Sequence, residues 1–305
     1  MKNFFALLIL ILFFNCKRDY DKNNRSVDSQ ISTERYIVYK KFPSKFVEER
    51  NIEVWLPSGY DGAEALPVLY MFDGQNIFHN GFYYGSYNQG WQVDETLDSL
   101  FSMKNIPELI VVGIFHTGER RFSEYMPAKP TIDIRQRMIN AEQWFIDSYE
   151  KYGITSDKLL RFIVEELKPF IDKNYKTIST REGTFVAGSS MGGLISAYAM
   201  CEYPNVFGGA ACMSTHWPVL NGYFINYLEN NLPVASTHRI YFDHGTLGLD
   251  STYEYFQTIV DSLMIAKGYK ENSDWITKKF EGTKHHEDYW RERFHQPIEF
   301  LFKKQ

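Results

Sequence analysis

Cysteine is scarce in this chain, and so are the patterns that would recruit a metal. There are 3 cysteines in 305 residues, at Cys16, Cys201 and Cys212. None sits in a paired spacing that would hold zinc, and no H-E-x-x-H stretch occurs. "KHHED" and "FDHG" supply histidines and acids without a ligand spacing, so no metal and no other cofactor is expected. Cys201 and Cys212 fall in the apolar stretches "AYAMCEYP" and "GGAACMST", where free thiols pack as small hydrophobes. The net charge is only −5, which gives no basis for a nucleic-acid partner. No apolar run reaches the roughly 20 residues a membrane-crossing helix needs. Internal repeats are absent, which removes solenoid architectures.

What is present begins at the N-terminus. One lysine precedes an apolar run from Phe4 to Phe14, which ends at Asn15, Cys16, Lys17 and Arg18. This order fits a secretory signal. The junction resembles a bacterial lipoprotein signal, in which the cysteine is lipidated and becomes the first mature residue. The resemblance implies a signal peptide over residues 1–16, lipidation of Cys16, and an exported protein of the bacterial cell envelope held at the membrane by its lipid. Residues 17–33 are polar and read as a flexible tether. The stretch 34–305 has a length that suits one large domain.

Hydrophobic residues are 44% of the chain and aromatics 17%, enough for a sizeable core with rings left over to line a cleft. "ERYIVYKKF" and "NIEVWLP" read as early strands. "PVLYMFDG" and "ELIVVGIF" are continuous apolar runs, the pattern of strands buried on both faces. "GTFVAGS", "VFGGAACMS", "HRIYFDHG" and "DWITKKFEG" follow as strands. Helical stretches lie between them: "WQVDETLDSLFSM", "IRQRMINAEQWFIDSYE", "DKLLRFIVEELKPFIDKNY", one from Met191, one around Gly222 to Asn230, and one from Tyr253 to Lys267. A single final helix runs from Glu287 to Phe302. The alternation predicts an α/β fold, a mostly parallel central sheet with helices on both faces. Ligands on such sheets sit at the C-terminal ends of the strands. The loops after Phe72, Phe115, Ser189, Ser214, His244 and Gly282 should therefore converge.

Gly188-Ser189-Ser190-Met191-Gly192 matches G-x-S-x-G with Ser190 in the middle. Ser189 does not fit, because Ala187 and Met191 would take the glycine positions. The bare pattern is weak, since average Gly and Ser usage gives ~0.1 chance matches in a chain of this size. Its setting is specific. A buried strand runs directly into it and a helix runs directly out, as a nucleophile elbow requires. Such a turn sets the serine hydroxyl at a helix N-terminus and aims the Met191 amide at a developing oxyanion. A second amide should come from the loop after "VLYMF". Gly74 allows close approach there, and the Gln75 N–H is the candidate donor, with Gly74 or Asn76 next.

On such a sheet the chain order is Ser, then the acid, then His. His79 and His116 precede the serine, and His216 follows it too closely. His238 starts a strand, His244 lies where the acid loop begins, and His295 falls inside the final helix. His285 and His286 remain, and their loop position does not separate them. For the acid, Asp250 reaches across a loop more easily than Asp243, which ends a strand. Asp250 is preferred, Asp243 stays open, and a helix N-cap is the other use of Asp250. Arg120, Arg121, Glu124 and Tyr125 sit at the mouth. Arg121 is either a substrate contact or an ion-paired loop anchor. His216 and Trp217 are candidates for a pocket wall, where Trp217 would stack on a sugar or aryl ring or would simply pack.

The stretches "PVLYMFDGQNIF", "GWQVDETLDSL", "RRFSEYMP", "FIVEELKPFIDKNYKT", "GSSMGGLISAYAMCEYPNVFGGAACMSTHWP" and "GTKHHEDYWRERFHQPIEFL" together resemble the putative-esterase family of α/β-hydrolases. That family includes esterase D and feruloyl, acetyl-xylan and enterochelin esterases. The resemblance covers residues 35 to 303 and implies an α/β-hydrolase fold over 34–305. It implies a serine carboxylester hydrolase working through an acyl-enzyme on small-molecule or glycan esters, such as acylated carbohydrates or siderophore esters. Relatives carry H-x-E-x-x-W in the last loop. His285, Glu287 and Trp290 match that spacing, so the resemblance assigns the base to His285. Ser190 carries over directly, while the acid loop is less regular across the family. Residues 128 to 155 read as an insertion contributing to a cap. An acyltransferase with the same residues, and a non-catalytic glycan-binding lipoprotein, are the alternative readings.

Overall fold

The continuous apolar runs become the centre of one sheet. The computed structural model describes residues 29–32, 34–78, 90–130, 138 and 143–303. Its strands are β1 (Ser29–Ser32), β2 (Tyr36–Phe42), β3 (Arg50–Trp55), β4 (Val68–Phe72), β5 (Ile110–Ile114), β6 (Thr184–Ser189), β7 (Gly209–Met213), β8 (Arg239–His244) and β9 (Trp275–Lys279). They form a nine-stranded sheet in the order β1-β2-β3-β5-β4-β6-β7-β8-β9. Neighbours from β5 to β9 are parallel. The edge made by β1, β2 and β3 is antiparallel, and β3 meets β5 antiparallel. β4 to β7 are buried at every position, as strands covered on both faces must be.

The helices are α1 (Val93–Ser102), α2 (Arg121–Tyr125) and α3 (Gln143–Tyr152). α4 is continuous through Ser156–Arg161, a π-helical stretch at Phe162–Leu167 and Lys168–Asn174. α5 (Met191–Glu202), α6 (Ile225–Asn231), α7 (Tyr253–Ala266), α8 (Glu287–Arg293) and α9 (His295–Phe302) follow among the described residues. Alternate residues of β4 serve two cores. Val68, Tyr70 and Phe72 pack with residues of α2 to α7, while Leu69 and Met71 pack with residues of α1, α8 and α9. This two-sided covering is the α/β-hydrolase arrangement. β4 lies between β5 and β6, so the loops after β4 and β6 leave the sheet side by side and open a crevice there. No helix among the described residues is long and apolar enough to cross a membrane.

The fold departs from the sequence reading in three places. Ser29–Ser32, inside the expected tether, pairs with β2 as an edge strand. The long helix over 156–174 loosens to π geometry just before Pro169, which has no amide to donate to Glu165. The final helix is two helices meeting at Phe294, because Pro297 cannot donate to the carbonyl of Arg293. The proposed signal, Cys16, most of the tether, and residues 134–137 and 139–142 of "IRQRMINAEQWFIDSYE" lie outside the described residues.

One core position carries a titratable cost. Glu53 of β3 is buried, and its carboxyl is pushed up to about 7, first by burial and then by the carboxylate of Asp94. A folded-state value above the unfolded one favours folding at acid pH, and that contribution is lost as pH rises from about 4.5 through 7. Glu53→Gln should therefore raise stability at pH 8 by roughly 2 kcal/mol. The gain over the wild type should vanish near pH 4.5 in parallel thermal melts.

Candidate active site

β6 ends at Ser189 and α5 begins at Met191, so Ser190 takes the whole turn. Its φ of 58° and ψ of −123° are strained for a residue with a side chain, and such strain needs a surrounding that enforces it. The Ser190 amide donates to the Met213 carbonyl at 2.9 Å, and its carbonyl accepts from Leu194 and His216 amides at 3.1 Å each. Gly188 is required by contact, while Gly192 lies close against Asp73 and Phe72. A Cβ on Gly188 would lie 2.6 Å from the backbone carbon of Gly192. Met191 supplies one of the first-turn amides that an α-helix leaves without an intrahelical acceptor.

The loops after β8 and β9 bring the next two groups together. His285 Nδ1 lies 2.6 Å from Asp250 Oδ1. The other carboxylate oxygen, Oδ2, accepts from the Gly245 amide at 2.7 Å and from the Ser214 hydroxyl at 2.8 Å. Burial works to raise the Asp250 carboxyl. The hydrogen bond and charge of His285, with the bonds from Gly245 and Ser214, outweigh it and hold the group below the usual carboxylate range. Asp250 is therefore an ionised, fully buried acceptor. The His285 ring is clasped edge-to-face by Trp290 at 4.9 Å and by Tyr253 at 5.5 Å. Tyr253 also reaches the Ser190 side chain.

The loop after β4 closes the other side. Asp73 has a left-handed backbone (φ 58°) and a buried carboxylate. Arg121 grips that carboxylate through Nε at 2.7 Å and Nη2 at 2.8 Å. Burial opposes ionisation of Asp73, but the Arg121 guanidinium overrides it and holds the carboxyl low. The Asp73 amide donates to the Tyr125 hydroxyl at 3.1 Å. Gln75 is the middle residue of the short turn Gly74–Asn76 that follows, and its side-chain oxygen accepts from the His116 amide at 3.4 Å.

A cavity of about 670 Å³ opens over Ser190 and Met191, with Arg121, His216, Leu249 and Tyr152 among its walls. Asp147, Ser148, Lys151 and Tyr152 of α3 line it, so the 128–155 segment does contribute a wall. A larger cleft, about 820 Å³, lies at the opposite end of the strands by Leu66, Phe185 and Arg239. Ser190 lines the smaller cavity and not this one, so size does not mark the site.

Several expected residues lie elsewhere. Trp217 does not line the cavity. Its ring is buried, donates to Gln257 at 2.8 Å and stacks on Phe224; the neighbouring His216 takes the wall position. Arg121 is the ion-paired anchor, held on Asp73, and it also lines the cavity. His286 caps α8, accepting from the Asp288 amide, and it is His285 that meets Asp250. Asp243 is bound by Arg293, Tyr241 and the Ser214 amide. Gln75 is not among the residues that line the cavity, and its side chain is bonded to the His116 amide, so only its backbone amide remains a candidate for the oxyanion. Sequence reasoning missed Ser214, Tyr253 and Arg293 altogether. The only local signal was the position of Tyr253 at the start of the helix after Asp250.

A strained serine between a buried strand and a helix, with a histidine–aspartate pair on the later loops of the same sheet edge, defines a hydrolase of the α/β class. The profile of the putative-esterase family matches residues 44–301, and the chain belongs to that family and is an esterase. It is similar to the uncharacterized protein YbbA of Bacillus subtilis, 24% identical over 267 residues, which are 84% of this chain and 93% of YbbA. Among solved structures it resembles an IroE-like serine hydrolase from Shewanella oneidensis, with TM-score 0.65 at 18% identity over 87% of this chain and 79% of that one. A ferulic acid esterase gives TM-score 0.62 at 17% identity, covering 88% of this chain and 98% of that one.

Proposed function

We propose that Ser190, His285 and Asp250 form a catalytic triad for ester hydrolysis through an acyl-enzyme. The observation that carries this reading is the 2.6 Å contact between His285 Nδ1 and the ionised Asp250, beside a serine on a strained elbow. Asp250 holds His285 with its proton on Nδ1, which leaves Nε2 as the base. Ser190 Oγ attacks the ester carbonyl as its proton passes to Nε2. The tetrahedral oxyanion rests on the Met191 and Gln75 amides. His285 returns the proton to the leaving alcohol, and the acyl group stays on Ser190. Water then attacks, gives a proton to His285, and frees the acid while Ser190 recovers its hydrogen.

Oxygen-rich esters, acylated carbohydrates or siderophore esters among them, suit a cavity walled by Arg121, Lys151, Ser148 and the Tyr152 ring. The likeness to a ferulic acid esterase points the same way. A fluorophosphonate probe tests the nucleophile. Mass spectrometry should find one adduct, on Ser190, with p-nitrophenyl ester turnover falling in step with labelling. Turnover that survives full labelling, or an adduct on Ser189, refutes the assignment. Export and anchoring through Cys16 belong to the same proposal, resting on the residue order at 4–18. Cys16→Ser should end palmitate incorporation and release the protein from the membrane fraction; unchanged incorporation rules out Cys16.

A further inference from the structure

A second histidine stands beside the nucleophile. His216 follows β7, its amide is bonded to the Ser190 carbonyl at 3.1 Å, and its side chain shares the cavity wall with Ser190 and Arg121. Its Nδ1 lies 2.5 Å from the hydroxyl of Tyr253. The mechanism above uses neither residue.

The proton in that contact belongs to the phenol. A phenol is a stronger acid than a neutral imidazole, and an imidazole nitrogen is a stronger acceptor than a phenol oxygen. So short a separation also suits an O–H donor better than an N–H donor. Tyr253 is fully buried. Burial, and then the charge of Asp250, push its hydroxyl well above the ordinary range, while its contact with Ser190 works weakly the other way. It therefore keeps its proton. His216 is pushed down to about 4, by burial first and then by the charges of His285 and Arg121, with Asp250 opposing them. A ring that is neutral and accepts at Nδ1 carries its hydrogen on Nε2.

We infer that His216 is a substrate-binding donor, whose Nε2–H receives an uncharged oxygen of the ester close to the scissile carbonyl, and that Tyr253 is the residue that fixes its tautomer. The ligand class follows from the donor. An ether, hydroxyl or carbonyl oxygen is accepted, and a group that can only donate, or a methylene, is not. Arg121 shares the cavity but offers a different donor, because it is a cation with two of its five N–H groups held by Asp73, whereas the His216 ring is neutral. The inference rests on Ser190 being the nucleophile, since that fixes where the scissile carbonyl sits.

Two measurements test it. In the first, kcat/KM is compared for p-nitrophenyl methoxyacetate against butyrate, and for 2-methoxyethyl acetate against butyl acetate, each pair nearly isosteric. His216→Phe should lower the oxygen-bearing member of at least one pair about tenfold more than its alkyl partner. Tyr253→Phe should act in the same direction mainly through KM, and His216→Gln, which keeps an N–H donor, should restore part of the preference. Ratios within twofold of wild type in His216→Phe for both pairs overturn the inference. The second uses two-bond ¹H–¹⁵N spectra of the histidine rings and needs no turnover. His216 should be the neutral Nε2–H form from pH 5 to 8 in the wild type and a mixture of tautomers in Tyr253→Phe. A charged or Nδ1–H ring at pH 7 refutes it. If neither ester pair is turned over, the triad reading fails instead, and the ring spectra still decide the tautomer.

Discussion

Asp250→Asn should lower kcat on the order of 10⁴-fold while leaving the fold intact. The reason lies in how the carboxylate is shared. Oδ2 accepts two donors, the Gly245 amide and the Ser214 hydroxyl, and Oδ1 faces His285. An asparagine has one oxygen, and the two donors on the Oδ2 side claim it. Its NH₂ then faces His285 Nδ1, where only an unprotonated nitrogen can accept. The His285 proton is driven to Nε2, and a ring protonated there cannot take the hydrogen of Ser190. The change is isosteric, so melting should shift by a few degrees at most. Labelling of Ser190 by a fluorophosphonate should slow along with turnover. A variant that keeps a tenth of wild-type kcat would remove Asp250 from the mechanism.

The same contact marks what a sequence can and cannot reveal. Ser190 is legible because its signal is local: an apolar strand, small residues at the clash positions, and a helix, all within a dozen residues. The central strands are legible for the same reason, since burial on both faces leaves an unbroken apolar run. Asp250 could be preferred over Asp243 on reach alone, because a loop residue crosses to the last loop and a strand residue is held in the ladder. The partner of Asp243 was not legible. Arg293 lies fifty positions on in sequence, on a helix whose own pattern gives it no special mark. Trp217 misled for a related reason. Its position after β7 is near the site, but its ring turns into the core toward Gln257 and Phe224, and the direction of a side chain past a strand end depends on helices elsewhere in the chain. Tyr253 and Ser214 act through contacts made only once β7, β8 and the last loop have converged.

Arg293→Met should cost about 3–5 kcal/mol of stability, the largest effect expected of a residue away from the reacting groups. Asp243 and Arg293 are both buried. The guanidinium reaches Asp243 through Nε at 3.1 Å and Nη2 at 2.9 Å, and Nη2 also donates to the Ser214 hydroxyl at 2.8 Å. Methionine fills much of the space but leaves a buried carboxylate with only the Tyr241 hydroxyl and the Ser214 amide as donors. A fall in melting temperature of roughly 10 °C is expected for a domain of this size. Adding Asp243→Asn should recover part of the loss, because it removes the unpaired charge, and a double-mutant cycle reads that coupling directly. The effect should also reach the acid. Ser214 gives its one hydrogen to Asp250 and accepts from both Trp290 and Arg293. With Arg293 gone, the hydroxyl keeps Trp290 but loses the cation that orients it, so Asp250 should be held less firmly against His285. At temperatures where the variant is fully folded, kcat should still fall while KM holds. Equal kcat in the folded variant would make Arg293 a stabiliser of the sheet edge alone.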